Sequence, residues 1–196
     1  RNTTQHIRED CMSLLKKITP RNLRALLVFC SVFFVSAQIS TREYQVKAAF
    51  VFNFTQFVEW PATCFSNPET RAVIGVLGKD PFGTYLEETI VGESINKHPL
   101  IIEHYNNVDE IKNCQILFVN LSNKNELRLV IEKLKGKNIL TVSDVNGFAK
   151  LGGMVRLYLN DDKINIEINL EAAKAENLVI SSKLLKLAEI VKTDKK

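Results

Sequence analysis

Apolar and polar positions alternate along most of the chain in short segments. Apolar runs of strand length occupy residues 72–77, 99–103, 115–119 and 138–142. The segments between them carry helix-starting residues, which predict short helices from Asp80-Pro81, over residues 108–112 and over residues 123–135. Strands and helices that alternate at this spacing are typical of parallel α/β folds with right-handed crossovers.

The pattern changes after residue 153. Two predicted strands, residues 154–159 and 163–168, are joined by the polar turn Asn160-Asp161-Asp162, which favours an antiparallel hairpin. Amphipathic stretches at residues 170–176 and 182–192 then predict two closing helices. The whole pattern predicts a compact α/β sandwich with a largely parallel central sheet, helices on both faces and a late antiparallel hairpin.

A long amphipathic segment precedes these elements. Ser40-Thr41-Arg42-Glu43 has the form of a capping box, and Pro61 ends the pattern, so a helix is predicted over residues 41–59. Its apolar face is wide, which indicates either burial on most sides or partial cover by another protein. Both interpretations stay open, and the candidate partner contacts are Phe50, Phe54, Phe57 and Trp60.

The amino-terminal segment has the layout of a secretory signal peptide. Basic residues precede an uncharged apolar run at residues 25–35, and Val35-Ser36-Ala37 supplies small residues for cleavage before Gln38. The run is shorter than the roughly 20 residues that a membrane span needs. We therefore predict a leader over residues 1–37, with the reading frame starting near Met12, and a single exported domain over residues 38–196.

The positive charge of the chain is confined to this leader. The chain has 26 basic and 22 acidic residues, a net charge of +4. Residues 1–37 contain the whole excess, so the remainder has 20 residues of each sign. A neutral domain lacks the basic surface that nucleic-acid binding requires, and no nucleic-acid partner is expected.

Two cysteines, Cys64 and Cys114, lie beyond the leader. An exported protein favours a disulfide between them, which would close a loop of about 50 residues and be worth about 4 kcal/mol. Two separate buried thiols are the alternative. With His98 and His104 these cysteines lack the spacing of a zinc site, so neither a metal nor a cofactor is expected.

A polar pocket is a further possibility near the end of the predicted sheet. Open α/β sheets bind ligands beyond the carboxyl ends of their strands, where Ser143-Asp144 and Gly152-Gly153 are expected. A helix cap and a tight turn are the alternative for the same residues, and we favour that alternative. Arg156 and Glu167 are further candidates for the pocket, and they are expected to pair across the two late strands, as a surface pair worth under about 1 kcal/mol. The chain has no G-x-S-x-G elbow or other catalytic constellation, and no enzyme is predicted.

Three stretches together resemble the YfiR family of exported bacterial proteins. They are Glu43–Phe50 through Trp60-Pro61; Leu140–Asp144 with Phe148-Ala149 and Gly152-Gly153-Met154; and Ile166–Leu170 with Ser181–Ala188. The resemblance extends from Glu43 to Val191.

The resemblance implies a function. The family's characterised role is that of a periplasmic repressor, which binds the periplasmic part of an inner-membrane diguanylate cyclase and lowers cyclic-di-GMP signalling. Release of the cyclase from the repressor raises cyclic-di-GMP and favours biofilm. It further implies release by an outer-membrane lipoprotein and, in many members, a homodimer. Family members can carry a second cysteine pair, which this chain lacks after Cys114. A periplasmic small-ligand sensor that uses the polar pocket is the alternative.

Overall fold

Eight strands form the central sheet of the domain. The computed structural model describes residues 42–65, 67 and 69–194. The predicted leader, residues 1–37, lies outside the described residues. From Glu43 onward the chain is one compact unit.

The strands follow the alternation in the sequence, with four short additions. They are β1 (Val58–Glu59), β2 (Ala72–Gly78), β3 (Ser94–Ile95), β4 (His98–Tyr105), β5 (Ile116–Asn120), β6 (Leu140–Ser143), β7 (Val155–Asn160), β8 (Lys163–Asn169), β9 (Val179–Ile180) and β10 (Glu189–Val191). The four additions are β1, β3, β9 and β10. The helices are α1 (residues 42–57), α2 (Tyr85–Ile90), α3 (Lys124–Leu134), α4 (Leu170–Ala175) and α5 (Ser182–Leu185), with 3-10 turns at Ala62–Phe65 and Val108–Glu110.

The sheet is largely parallel, as the sequence predicts. Its strand order is β10-β8-β7-β6-β5-β2-β4-β3, and β1 pairs with β9 in a separate antiparallel ribbon. The strands from β4 through β2, β5 and β6 to β7 run parallel, and β10 is parallel to β8. The predicted late hairpin is present, since β7 and β8 pair antiparallel.

Both faces of the sheet are covered, which confirms the predicted sandwich. Alternate side chains of β2 enter different apolar clusters, because successive side chains of a strand point to opposite faces. Ile74 and Val76 pack with α1, whereas Val73 and Leu77 pack with α3. Asn123 caps α3 as predicted, because its Oδ1 accepts the backbone N–H of Asn125 at 2.8 Å.

Three element boundaries differ from the predictions. The first helix ends at residue 57, and the next two residues pair with β9. The helix predicted from Asp80-Pro81 begins at Tyr85, because Asp80 instead closes a turn by accepting the N–H of Phe82 at 2.7 Å. The helix predicted over residues 182–192 is wrong: α5 ends at Leu185, and β10 follows as a strand.

Candidate functional site

The apolar face of α1 lies in the core of the domain. Ala48, Val51 and Phe54 are fully buried at helical spacing, against the inner face of the sheet. Phe50 and Phe57 are half-buried at the border of this cluster. The core interpretation of the face therefore accounts for its centre, and only its border is open to solvent.

Two of the four candidate partner contacts are consequently core residues. Phe54 has no exposed surface, and Trp60 is buried with its Nε1 donating to the backbone oxygen of Gln115 at 3.1 Å. Neither ring is available to a partner in the folded domain. This corrects the prediction for Phe54 and Trp60, while Phe50 and Phe57 retain an accessible edge.

A buried lysine connects α1 to the end of β6. Lys47 is 2% exposed, and its Nζ lies 2.7 Å from Asp144 Oδ2 and 2.5 Å from Glu43 Oε1. Tyr44 donates its hydroxyl to the same Asp144 oxygen at 2.8 Å, and its ring lies 4.5 Å from Nζ. Burial raises the pKa of Tyr44 above its ordinary value, and the hydrogen bond to Asp144 adds to this effect. The four residues form a polar clamp, the Lys47 clamp, between the first helix and the sheet.

The sequence prediction included Asp144 but not its partners. Lys47 occupies a helical row with Val51 and Phe54, both buried. A lysine in such a row is a detectable signal, because a charged group enters a core only when it is paired. Its partner could not be identified from the sequence, since Asp144 follows 97 residues later.

Ser143 and the two glycines of the predicted pocket have structural roles. Ser143 is fully buried and donates its hydroxyl to the backbone oxygen of Val119 at 2.7 Å. A Cβ on Gly153 would lie 2.2 Å from the ring of Phe148, so this position requires glycine. Gly152 adopts a φ of +109° at the turn before it. The tight-turn interpretation fits the two glycines, whereas Ser143 is the last residue of β6 and caps no helix.

Arg156 and Glu167 pair as predicted, but inside the domain. Their register across β7 and β8 places them opposite each other, and Arg156 donates to Glu167 Oε1 at 2.8 Å. The side chains are only 14% and 10% exposed, which corrects the expectation of a surface pair. Arg156 Nε and Glu167 Oε2 are buried without a hydrogen-bond partner among the described residues.

The predicted pocket residues therefore fall into separate sets. Ser143, Arg156 and Glu167 form one row across three adjacent strands. Asp144 turns to the Lys47 clamp instead. Gly152 borders a different cavity of about 280 Å³, between α3 and α4, whose lining includes Ile131.

The predicted disulfide is absent from the structure. Cys64 and Cys114 are free thiols that border a cavity of about 300 Å³. Cys64 packs against the apolar cluster that contains α1, whereas Cys114 belongs to the cluster on the opposite face. Cys114 donates to the backbone oxygen of Ile116 at 2.9 Å, and burial raises the pKa of its thiol to about 12. Burial also raises the pKa of Cys64.

Fold and site together define an α/β domain on a largely parallel sheet, in which buried polar groups tie the elements to one another. The chain belongs to the YfiR/HmsC-like family, whose model matches residues 44–189. This family is periplasmic and regulatory rather than catalytic. None of the helices in the described ranges has the length and apolar character that crossing a membrane requires.

Among curated proteins, no sequence matches the chain. Several solved structures resemble it distantly, among them the following two. One is the ABC domain in complex with L-Trp from Streptococcus pneumonia, at 11% identity and a TM-score of 0.45, covering 70% of this chain and 60% of that one. The other is a ligand-free, open substrate-binding protein with adhesive properties from Clostridium difficile, at 12% identity and a TM-score of 0.46, covering 68% and 59%. The chain thus spans about three fifths of each of these proteins.

Proposed function

We propose that this protein is an exported regulator that binds the periplasmic part of an inner-membrane diguanylate cyclase and represses it. The observation that carries the proposal is the family match over residues 44–189, which spans nearly the whole folded domain. Repression of the cyclase would lower cyclic-di-GMP, and an outer-membrane lipoprotein that captures the regulator would release it. A homodimer is compatible with the same scheme.

The accessible border of α1 is the partner surface that we propose. Val46, Phe50 and Phe57 follow one another at helical spacing, and Val46 is 40% exposed. Half-buried aromatic rings supply contact area at a low entropic cost, which is why such residues dominate interface energetics. The proposal replaces Phe54 and Trp60 by Val46 as a contact.

Capture of membrane proteins from solubilised membranes by the purified protein tests both the proposed function and the proposed partner surface. The full chain should retain a diguanylate cyclase, identified by mass spectrometry, and Val46→Asp or Phe50→Asp should weaken retention by about 30-fold if each is a hot spot worth about 2 kcal/mol. Leu129→Asp is the matched control, because Leu129 is an exposed apolar residue on α3. Thermal unfolding of every variant separates lost binding from lost folding.

The two possible failures are distinguishable. Recovery of no cyclase by the unaltered chain would overturn the proposed function. Equal recovery by Val46→Asp, Phe50→Asp and Leu129→Asp would overturn the surface alone.

A small-ligand sensor is the second candidate, favoured by the two unpartnered atoms of the Arg156–Glu167 pair. Each buried unsatisfied group costs about 1–3 kcal/mol, and a ligand hydroxyl or amide could satisfy both. A ligand at about 100 times its dissociation constant would stabilise the domain by about 2.7 kcal/mol. A thermal-shift screen in which hits lose their effect in Glu167→Gln would support this candidate, and a screen without hits would remove it.

A further inference from the structure

We propose that Asp80, Glu87 and His104 form a binding site for a divalent transition-metal ion. One ligand atom from each side chain lies within 4.8 Å of the other two. An imidazole nitrogen with two carboxylate oxygens is a donor set that zinc uses in proteins, with further positions left to water. The expectation that no metal binds rested on spacing along the chain, whereas the fold joins residues from three separate elements.

Asp80 is held in place by the turn that follows β2. Gly78 adopts a φ of +92°, and a Cβ there would lie 2.5 Å from the backbone oxygen of Asn120, so the position before this turn requires glycine. Asn120 Nδ2 donates to the backbone oxygen of Lys79 at 2.6 Å and fixes the turn from the other side. Asp80 Oδ1 accepts the N–H of Phe82, which leaves Oδ2 directed at the site.

His104 and Glu87 complete the set from β4 and α2. The register of the parallel strands places His104 beside Val76, near the end of β2, and its Nε2 lies 3.0 Å from Asp80 Oδ2. Glu87 projects from the first turn of α2. His104 and Glu87 are both exposed, so an ion can enter from solvent.

Charge in the cluster also favours a cation. Two carboxylates approach each other, and among the described residues neither Asp80 nor Glu87 forms an ion pair with a lysine or arginine. Like charges at this separation repel, and a divalent ion would reverse the sign of the interaction. Donor atoms about 2.0–2.2 Å from zinc lie about 3.4 Å from one another, a distance that the exposed Glu87 side chain can reach by a small rotation.

The imidazole sets the class of ion. Magnesium and calcium select oxygen ligands, whereas zinc and the neighbouring transition ions bind imidazole readily. The site should therefore discriminate Zn²⁺ from Mg²⁺ and Ca²⁺.

Calorimetric titration of the chelator-treated full chain with Zn²⁺ tests the proposal. Comparison with His104→Ala and Glu87→Gln isolates this site from other zinc-binding groups of the chain. We expect each variant to bind one zinc ion fewer than the unaltered chain. If the ion still binds, we expect its affinity to fall by at least roughly 10- to 100-fold, the loss that removal of a supporting partner causes in a metal site. Glu88→Gln is the matched control, because Glu88 is exposed in the same turn of α2 and outside the cluster, and it should bind zinc as the unaltered chain does.

Three results would overturn the proposal. One is equal zinc binding by the unaltered chain, His104→Ala and Glu87→Gln. Another is an equal loss of zinc binding in Glu88→Gln, which would mean that the overall negative charge of the surface, and not this cluster, binds zinc. The third is displacement of zinc by an equal concentration of Mg²⁺.

Discussion

At the scale of single residues, Lys47 presents the sharpest energetic problem in the domain. A charged ammonium removed from water costs several kcal/mol, and the cost is offset only by close partners of opposite charge. Asp144 and Glu43 supply those charges, and the ring of Tyr44 supplies a cation–π contact. The Lys47 clamp is therefore fully paired but sensitive to the loss of any partner.

Replacement of Lys47 by Met should destabilise the domain by about 3 kcal/mol, because Asp144 then keeps its charge without the ammonium. Adding Asp144→Asn should recover part of this loss, since Glu43, the more exposed of the two carboxylates, is then the remaining charge of the clamp without a partner. Urea unfolding monitored by circular dichroism gives both free energies.

Lys133→Met is the control for this prediction. Lys133 pairs with Asp109 at 2.7 Å, but both side chains are exposed. Its loss should cost under about 1 kcal/mol. Equal costs for the two lysine replacements would mean that Lys47 is hydrated in solution.

At the scale of elements, the end of the chain shows what a local pattern misses. Leu184, Leu187 and Val191 have helical spacing, yet the chain leaves the helix after Leu185. The reason is non-local: Glu189–Val191 pairs with Glu167–Asn169 and covers backbone groups of β8 that would otherwise lie at an open edge. Leu187 is then 74% exposed, and Val191 only 7%.

Two aspartate substitutions distinguish the strand from a helix. In a helix, Leu187 and Val191 would lie on one face, and both substitutions would be costly. In the strand, Val191→Asp should cost more than about 2 kcal/mol through burial of an unpaired charge, and Leu187→Asp should stay within about 0.5 kcal/mol. Urea midpoints of the two variants provide the measurement, and similar large losses in both would contradict the strand.

The sequence predicts those elements whose determinants are local. Apolar runs with turn residues at their ends identified the main strands, and Asn123 identified the start of α3 because capping depends on neighbouring residues. The pairings of β1 with β9 and of Lys47 with Asp144 depend on chain topology, which hydrophobic spacing does not encode. The same limit explains why Phe54 was wrongly predicted to contact a partner. An apolar helix face has the same sequence pattern whether a sheet of the same domain or another protein covers it.

At the scale of the whole molecule, the pKa of three weakly acidic side chains is raised above its ordinary value. Burial is the main cause of the raised pKa of Tyr44, Tyr105 and Cys114, and the Cys114 value is about 12. Hydrogen bonds to Asp144 and Glu103 add to the effect for the two tyrosines. All three groups favour the folded state in their neutral form.

The free energy of unfolding should consequently fall as the pH rises. The unfolded chain releases these protons from about pH 9 for the thiol and about pH 10 for the tyrosines, while the folded domain retains them. The contribution is complete below pH 9 and is lost progressively above it. Urea unfolding between pH 8 and 11 measures the decline, which Tyr105→Phe should make shallower. A flat profile would contradict the burial of these groups.

The Lys47 clamp also sets an order of events during synthesis. Asp144 follows Lys47 by 97 residues, an interval that a ribosome working at about 5–20 residues per second covers in about 5–20 s. Throughout this time, Lys47 lacks Asp144, and the apolar face of the first helix lacks the later strands of the sheet on which it packs. The domain therefore cannot complete its fold before Asp144 has been synthesised, and until then a chaperone, or under the proposed export a translocation channel, can still bind the chain in an extended form.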